Sequence, residues 1–165
     1  MNYRLGTLQD LDSINALIKD AIVEMEKHDI YQWDSIYPSS DDFKDDIEKS
    51  TLYTAYEDDE LVAFYVISSE CDEAYKNAKW IYDEDSCYVL HRFCVSPTKQ
   101  NRGIGKTVLQ HIENQIKDMG YQSLRLDVFT ENPFAQKLYC NSGYERRGYV
   151  DWRKGRFDLM EKKIL

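Results

Sequence analysis

The chain has 165 residues, 42% of them hydrophobic and 31% charged, which suits one soluble domain burying roughly two-thirds of its unfolded surface. Its net charge of −9 disfavours nonspecific nucleic-acid binding, which wants a basic face, and is compatible with a cationic substrate such as an amine. No apolar run reaches the length of a membrane span, and Asp10, Asp12 and Lys19 interrupt the first apolar segment, so neither membrane anchor nor signal peptide is expected.

In chain order, Tyr3-Arg4-Leu5 reads as a short strand. Thr7 then starts a helix, with Asp10 placed as in a capping box. Leu8, Leu11, Ile14, Leu17, Ile18, Ala21, Ile22 and Met25 keep helical spacing and are expected to form core. Residues 29–38 are irregular and aromatic, and Asp41 or Asp42 is expected to cap a short helix through Phe43 and Ile47. Strands at 52–56 and 61–68 flank a hairpin turn at Asp58-Asp59. The polar segment 69–86 is too long for an ordinary connection, so it is either a binding loop or carries structure of its own.

A single strand is expected over 88–95, feeding a polar loop and then a helix over about 103–119, where Ile104, Val108, Ile112 and Ile116 recur with Leu109 beside them. Gly120 is its expected stop. Leu124, Leu126 and Val128 alternate as a strand, and Asn132-Pro133 starts a helix that Gly143 ends. Strands over 144–150 and 156–162 close the chain as a hairpin. The four cysteines, Cys71, Cys87, Cys94 and Cys140, form no Cys-x-x-Cys pair, which leaves no metal site and points to a reduced, cytoplasmic protein. Cys94 and Cys140 sit among apolar residues as expected core groups.

The most telling junction is Val95-Ser96-Pro97-Thr98-Lys99-Gln100-Asn101-Arg102-Gly103-Ile104-Gly105-Lys106. A glycine-bearing loop opening into an amphipathic helix aims unpaired backbone N–H groups and a positive helix end at one point, where an anion such as phosphate is the natural guest. Lys99, Arg102 and Lys106 concentrate cations there in an otherwise acidic chain. A dinucleotide fingerprint is excluded because its third glycine position holds Val108. Gly105-Lys106-Thr107 fits the second half of a P-loop, but its first glycine would fall on Gln100.

The pattern Gln100-x-x-Gly103-x-Gly105 after Phe93-Cys94-Val95 resembles the acyl-CoA loop of the GCN5-related N-acetyltransferases, the GNAT superfamily. Asn132-Pro-Phe-Ala-Gln-Lys-Leu-Tyr-Cys-Asn-Ser-Gly-Tyr144 looks like that family's second signature. The resemblance is clearest over about 88–149 and implies one domain over 1–165. Its fold would be mixed α/β (α+β), an acyl-CoA N-acyltransferase fold with a central, mostly antiparallel twisted sheet of about seven strands and about four helices. It implies acetyl-CoA as cosubstrate, no metal, and a homodimer as one option through the late hairpin.

By the same resemblance, Gln100, Asn101, Arg102, Gly103, Ile104, Gly105 and Lys106 hold the pyrophosphate. Phe93, Cys94 and Val95 offer backbone groups to the pantetheine arm, with Val95 N–H as donor to the acetyl oxygen. Asn132 reaches the pantetheine, or serves only as a helix cap. Tyr139 protonates the leaving thiolate, or is a core tyrosine; a phenol is protonated at neutral pH and able to donate. Strand alternation puts His91, Phe93 and Val95 on one face, which makes His91 a candidate general base; its other role is to bond a neighbouring strand or loop. Tyr31, Trp33, Asp34 and Tyr37, with Trp80 from the insert, are candidate walls for an ammonium substrate, or packing residues. Two other functions fit the residues: a P-loop-like nucleotide hydrolase using strand-borne Asp127, and a noncatalytic acyl-CoA-binding module.

Overall fold

The computed structural model describes residues 1–165, in the order β1 (Asn2–Leu5), α1 (Leu11–Glu26), α2 (Ser40–Glu48), β2 (Leu52–Glu57), β3 (Glu60–Ser68), β4 (Cys87–Leu90), β5 (Cys94–Val95), α3 (Ile104–Asp118), β6 (Ser123–Phe129), α4 (Pro133–Asn141), β7 (Glu145–Trp152) and β8 (Gly155–Lys163). The chain divides into two compact units, Met1–Ile67 with Arg92–Gly105, and Ser68–His91 with Lys106–Leu165. No helix is long and apolar enough to cross a membrane.

In the first unit β1, β2, β3 and β5 pair in succession, all antiparallel. The α1 stripe buries Ile14, Leu17, Ile18 and Ala21 against Phe43, Leu52, Phe64 and Val66, and the Phe43 and Phe64 rings meet edge-on with centres 5.2 Å apart. The Thr7 start behaves as the capping box predicts: the Asp10 carboxylate accepts from the Thr7 amide at 2.8 Å. Residues Leu8–Asp10 form a 3-10 turn ahead of α1, however, so Leu8 is 60% exposed instead of lying on the core stripe. The cap of α2 is Ser39, with Asp42 reaching back to the Ser39 amide at 2.7 Å, so neither Asp41 nor Asp42 occupies the cap itself.

In the second unit the order is β4-β6-β8-β7, with β4 parallel to β6 and the other pairs antiparallel. α3 buries Val108, Leu109, Ile112 and Ile116, the stripe expected from their spacing. The segment between β3 and β4 carries structure of its own, 3-10 turns at Glu73–Asn77 and Glu84–Ser86. It docks through buried Tyr75, whose hydroxyl donates to Asp127 at 2.7 Å, and through Ile81 N–H, which donates to the fully buried Glu161 at 3.0 Å.

The strand expected over 88–95 is broken. β4 ends at Leu90 and takes β6 as its partner, while β5 begins at Cys94 and takes β3. His91, Arg92 and Phe93 lie between the two and belong to neither strand. The break raises the strand count from about seven to eight. One packing expectation fails outright: Cys140 is exposed, on the outer side of the short helix α4, whereas Cys94 is buried.

Candidate active site

The glycine loop is built by backbone turns. Ser96 N–H donates to Val62 O at 2.8 Å, and Lys99 N–H closes a 3-10 turn on Ser96 O at 2.9 Å. Gln100 N–H donates to Pro97 O at 3.4 Å, and its side-chain amide to Val95 O at 3.2 Å, so that side chain braces the loop. Asn101 and Gly103 then take positive φ values of 62° and 76°. Asparagine tolerates this left-handed region and glycine meets no steric penalty in it. The reversal delivers the chain into the first turn of α3 at Ile104, where helix geometry leaves amides without an intrahelical acceptor. Of the three loop cations, Lys99 is paired with Glu60 at 3.3 Å; Arg102 and Lys106 are exposed.

Pairing of β5 with β3 decides where Val95 points. Antiparallel strands turn successive N–H groups to opposite sides. Since Ser96 N–H faces β3, Val95 N–H faces away from it, and so does Val95 O, which receives Gln100. This one residue therefore presents a donor off the free side of β5 immediately ahead of the loop, with buried Cys94 and half-buried Phe93 leading into it.

The break between β4 and β5 removes the basis for grouping His91 with Phe93 and Val95, because a period of two holds only along a continuous strand. His91 lies in the second unit, where its Nε2 is 3.0 Å from both Ser68 Oγ and Glu70 O. It ties the end of β4 to the start of the 69–86 segment.

Asn132 and Tyr139 are set by α4 in the second unit. The Asn132 side chain accepts from Ala135 N–H at 3.1 Å, the cap expected from Asn-Pro, and its residue is buried. Tyr139 is buried and meets Tyr144 edge-on, ring centres 5.6 Å apart. Burial pushes its phenol well above the ordinary value, and the Asp127 charge adds to the rise, so Tyr139 stays protonated through the physiological range. Tyr75 is a partner of Asp127 that a sequence reading passes over. Alternation of buried Leu124, Leu126 and Val128 puts Asp127 on the other side of β6, but its pairing with Tyr75 spans 52 residues.

The candidate acceptor residues divide between the units. Tyr31, Trp33, Asp34 and Tyr37 belong to the first; Trp80 belongs to the second. Asp34 accepts from the amides of Ile36 and Tyr37 at 3.0 and 3.1 Å, closing a turn of its own. Trp33 packs on the first unit's core, and Tyr31 is 52% exposed. Trp80 donates its indole N–H to Tyr75 O at 2.7 Å and lies under the Arg125 guanidinium, 4.4 Å from ring centre, which is a packing role.

A strand interrupted between Leu90 and Cys94, a donor turned off the free side of β5, and a glycine-reversed helix start make up the candidate site. The acetyltransferase (GNAT) family profile matches residues 18–144, and the chain belongs to that family. It is 29% identical over 107 residues to the [ribosomal protein bS18]-alanine N-acetyltransferase of Salmonella typhimurium, a match covering 62% of this chain and 63% of that protein. The chain thus spans less than two-thirds of the length of that curated relative. A GNAT-family acetyltransferase from Streptococcus agalactiae is 26% identical with a TM-score of 0.85, covering 98% of this chain and 94% of that one. The PaiA N-acetyltransferase of Thermoplasma acidophilum, in complex with coenzyme A, has the same fold at 21% identity, a TM-score of 0.72 and 98% of each chain covered. The expected mixed α/β fold is the family's, and the P-loop hydrolase and noncatalytic readings gain no support.

Proposed function

We propose that this chain is an acyl-CoA-dependent N-acetyltransferase working as one cytoplasmic catalytic domain. It moves acetyl from acetyl-CoA to the primary amine of a small molecule or a protein amino terminus. The observation that carries the proposal is Val95 N–H, turned off β3 directly ahead of Gln100–Lys106. Loop amides with Arg102 and Lys106 bind the diphosphate. Val95 N–H steadies the oxyanion as the amine nitrogen bonds to the thioester carbon. When the C–S bond breaks, Tyr139 gives its proton to the thiolate, and the protons shed by the amine pass to a base and to solvent. The products are an N-acetyl amide and free CoA.

Two residues of the second unit are candidates for that base. They are His91, whose Nε2 lies 3.0 Å from Ser68 Oγ and Glu70 O, and Asp127, whose carboxylate accepts from the Tyr75 hydroxyl at 2.7 Å. The alanine N-acetyltransferase relatives support a peptide amino terminus as the first acceptor to try. The test is thiol release from acetyl-CoA across polyamines, aminoglycosides, amino acids and alanine-initiated peptides, beside calorimetry with acetyl-CoA. Release with one class and micromolar-range binding are expected; neither release nor binding would end the proposal.

A further inference from the structure

Arg92 stands in the gap between β4 and β5, one residue before the stretch assigned to the pantetheine arm. Its side chain nevertheless turns to α2 and to the segment before it. Nε donates to Asp46 Oδ2 at 2.9 Å and Nη2 to Asp46 Oδ1, a two-pronged pair with a carboxylate that is only 6% exposed. The remaining prong, Nη1, donates to the Tyr37 hydroxyl at 2.7 Å, with the guanidinium carbon 5.8 Å from the centre of that ring. All three residues belong to the first unit.

Tyr37 also closes the turn it belongs to: Asp34 N–H donates to Tyr37 O at 3.0 Å, and the Asp34 carboxylate receives Tyr37 N–H. A turn closed on itself moves as one body, so a grip on Tyr37 places Asp34, Ser35 and Ile36 together. Trp33, packed on the core, holds its other end. The cost of this grip is visible at Asp46, where burial pushes the carboxyl up in spite of Arg92. A buried carboxylate kept at that cost, gripped from two residues before β5, is more than a surface tie.

We infer that Arg92 is a positioning residue that seats the 31–38 turn for the acceptor amine and ties its place to the strand that presents the thioester. The inference rests on the acetyltransferase reading. Arg92 acts through Tyr37 and does not touch the reacting atoms.

Arg92→Ala strips Asp46 of its partner and endangers folding, so the informative variants are Arg92→Lys, which keeps the charge but loses the fork, and Tyr37→Phe, which removes one hydroxyl. With an alanine-initiated peptide or the best amine from the screen, each is expected to raise the acceptor KM about fivefold, the size of one lost hydrogen bond, with kcat within about twofold and acetyl-CoA affinity kept. The double variant should do no more than the stronger single one, because both break one contact. Amide hydrogen exchange over 31–37 should accelerate about fivefold while α1 and α2 keep their protection. Intact acetyl-CoA binding with wild-type exchange in Tyr37→Phe, or additive KM effects, would overturn the inference alone. Loss of acetyl-CoA binding in the wild-type chain would remove the enzymatic reading and this inference with it.

Discussion

The glycine loop at 100–106 and the insert at 69–86 are both irregular and polar, and they use their polar groups in opposite ways. The insert spends its groups within its own unit. Trp80 N–H, Ile81 N–H and Tyr82 O go to Tyr75 O, Glu161 and Arg125, and Lys79 N–H pairs with Arg147 O at 3.0 Å. The loop is shaped by backbone turns and the Gln100 brace, while Arg102 and Lys106 stay exposed. A polar segment whose groups are satisfied internally is a wall; one whose donors lie at an open helix start is a receptor. Breaking the two should therefore produce different failures, one of stability and one of binding or turnover.

Glu161→Ala should give the largest effect. It leaves buried Arg125 and partly buried Arg147 beside an empty site, and should cost about 3–5 kcal/mol in urea unfolding, with the insert undocked. Tyr139→Phe comes next and tests turnover: kcat should fall about 100-fold while acetyl-CoA affinity by calorimetry holds, and an unchanged rate would remove Tyr139 from the chemistry. Because burial and then Asp127 raise its pKa, the wild-type rate should show no alkaline fall from Tyr139 up to pH ~10.

Smaller still is Gly148→Ala. A methyl there would sit 2.9 Å from the Ala78 backbone of the insert, so about 1–3 kcal/mol of stability should be lost without change in acetyl-CoA affinity. Arg102→Ala should do the reverse, weakening acetyl-CoA about tenfold at low salt and less at high salt, with unfolding unchanged. The smallest effect is at Asp10. Burial pushes its carboxyl up, but bonds from Arg4, Tyr56 and Thr7 outweigh that and hold it far below the ordinary value. A depressed carboxylate stabilises above its unfolded pKa of ~3.9 and loses that contribution as pH falls toward its folded value. Asp10→Asn should therefore flatten the acid side of the stability profile below pH ~4, measured by thermal unfolding.

Much of this was legible in local sequence. The Thr7–Asp10 box, the Asn132 cap, the α3 stripe and the glycine reversal before Ile104 each depend on residues within one or two turns of each other. Alternation failed at His91–Phe93 because the strand is interrupted there, and no local pattern marks the interruption. Trp80 looked like a binding aromatic because nothing nearby shows that Arg125 covers it. Tyr75 on Asp127 was equally hidden.

The sequence by itself determined the helices, the Thr7 and Asn132 caps, the glycine reversal before Ile104 and the family. Those features are written in short-range hydrogen bonds and in the periods of helix and strand. Tertiary structure decided that the strand breaks, that Val95 N–H faces off β3, that Arg92 grips Asp46 and Tyr37, and that Glu161 joins Arg125 and Arg147 under the insert. Charges 36 and 46 residues apart pair only when packing removes the water between them, and composition and spacing carry no record of that encounter.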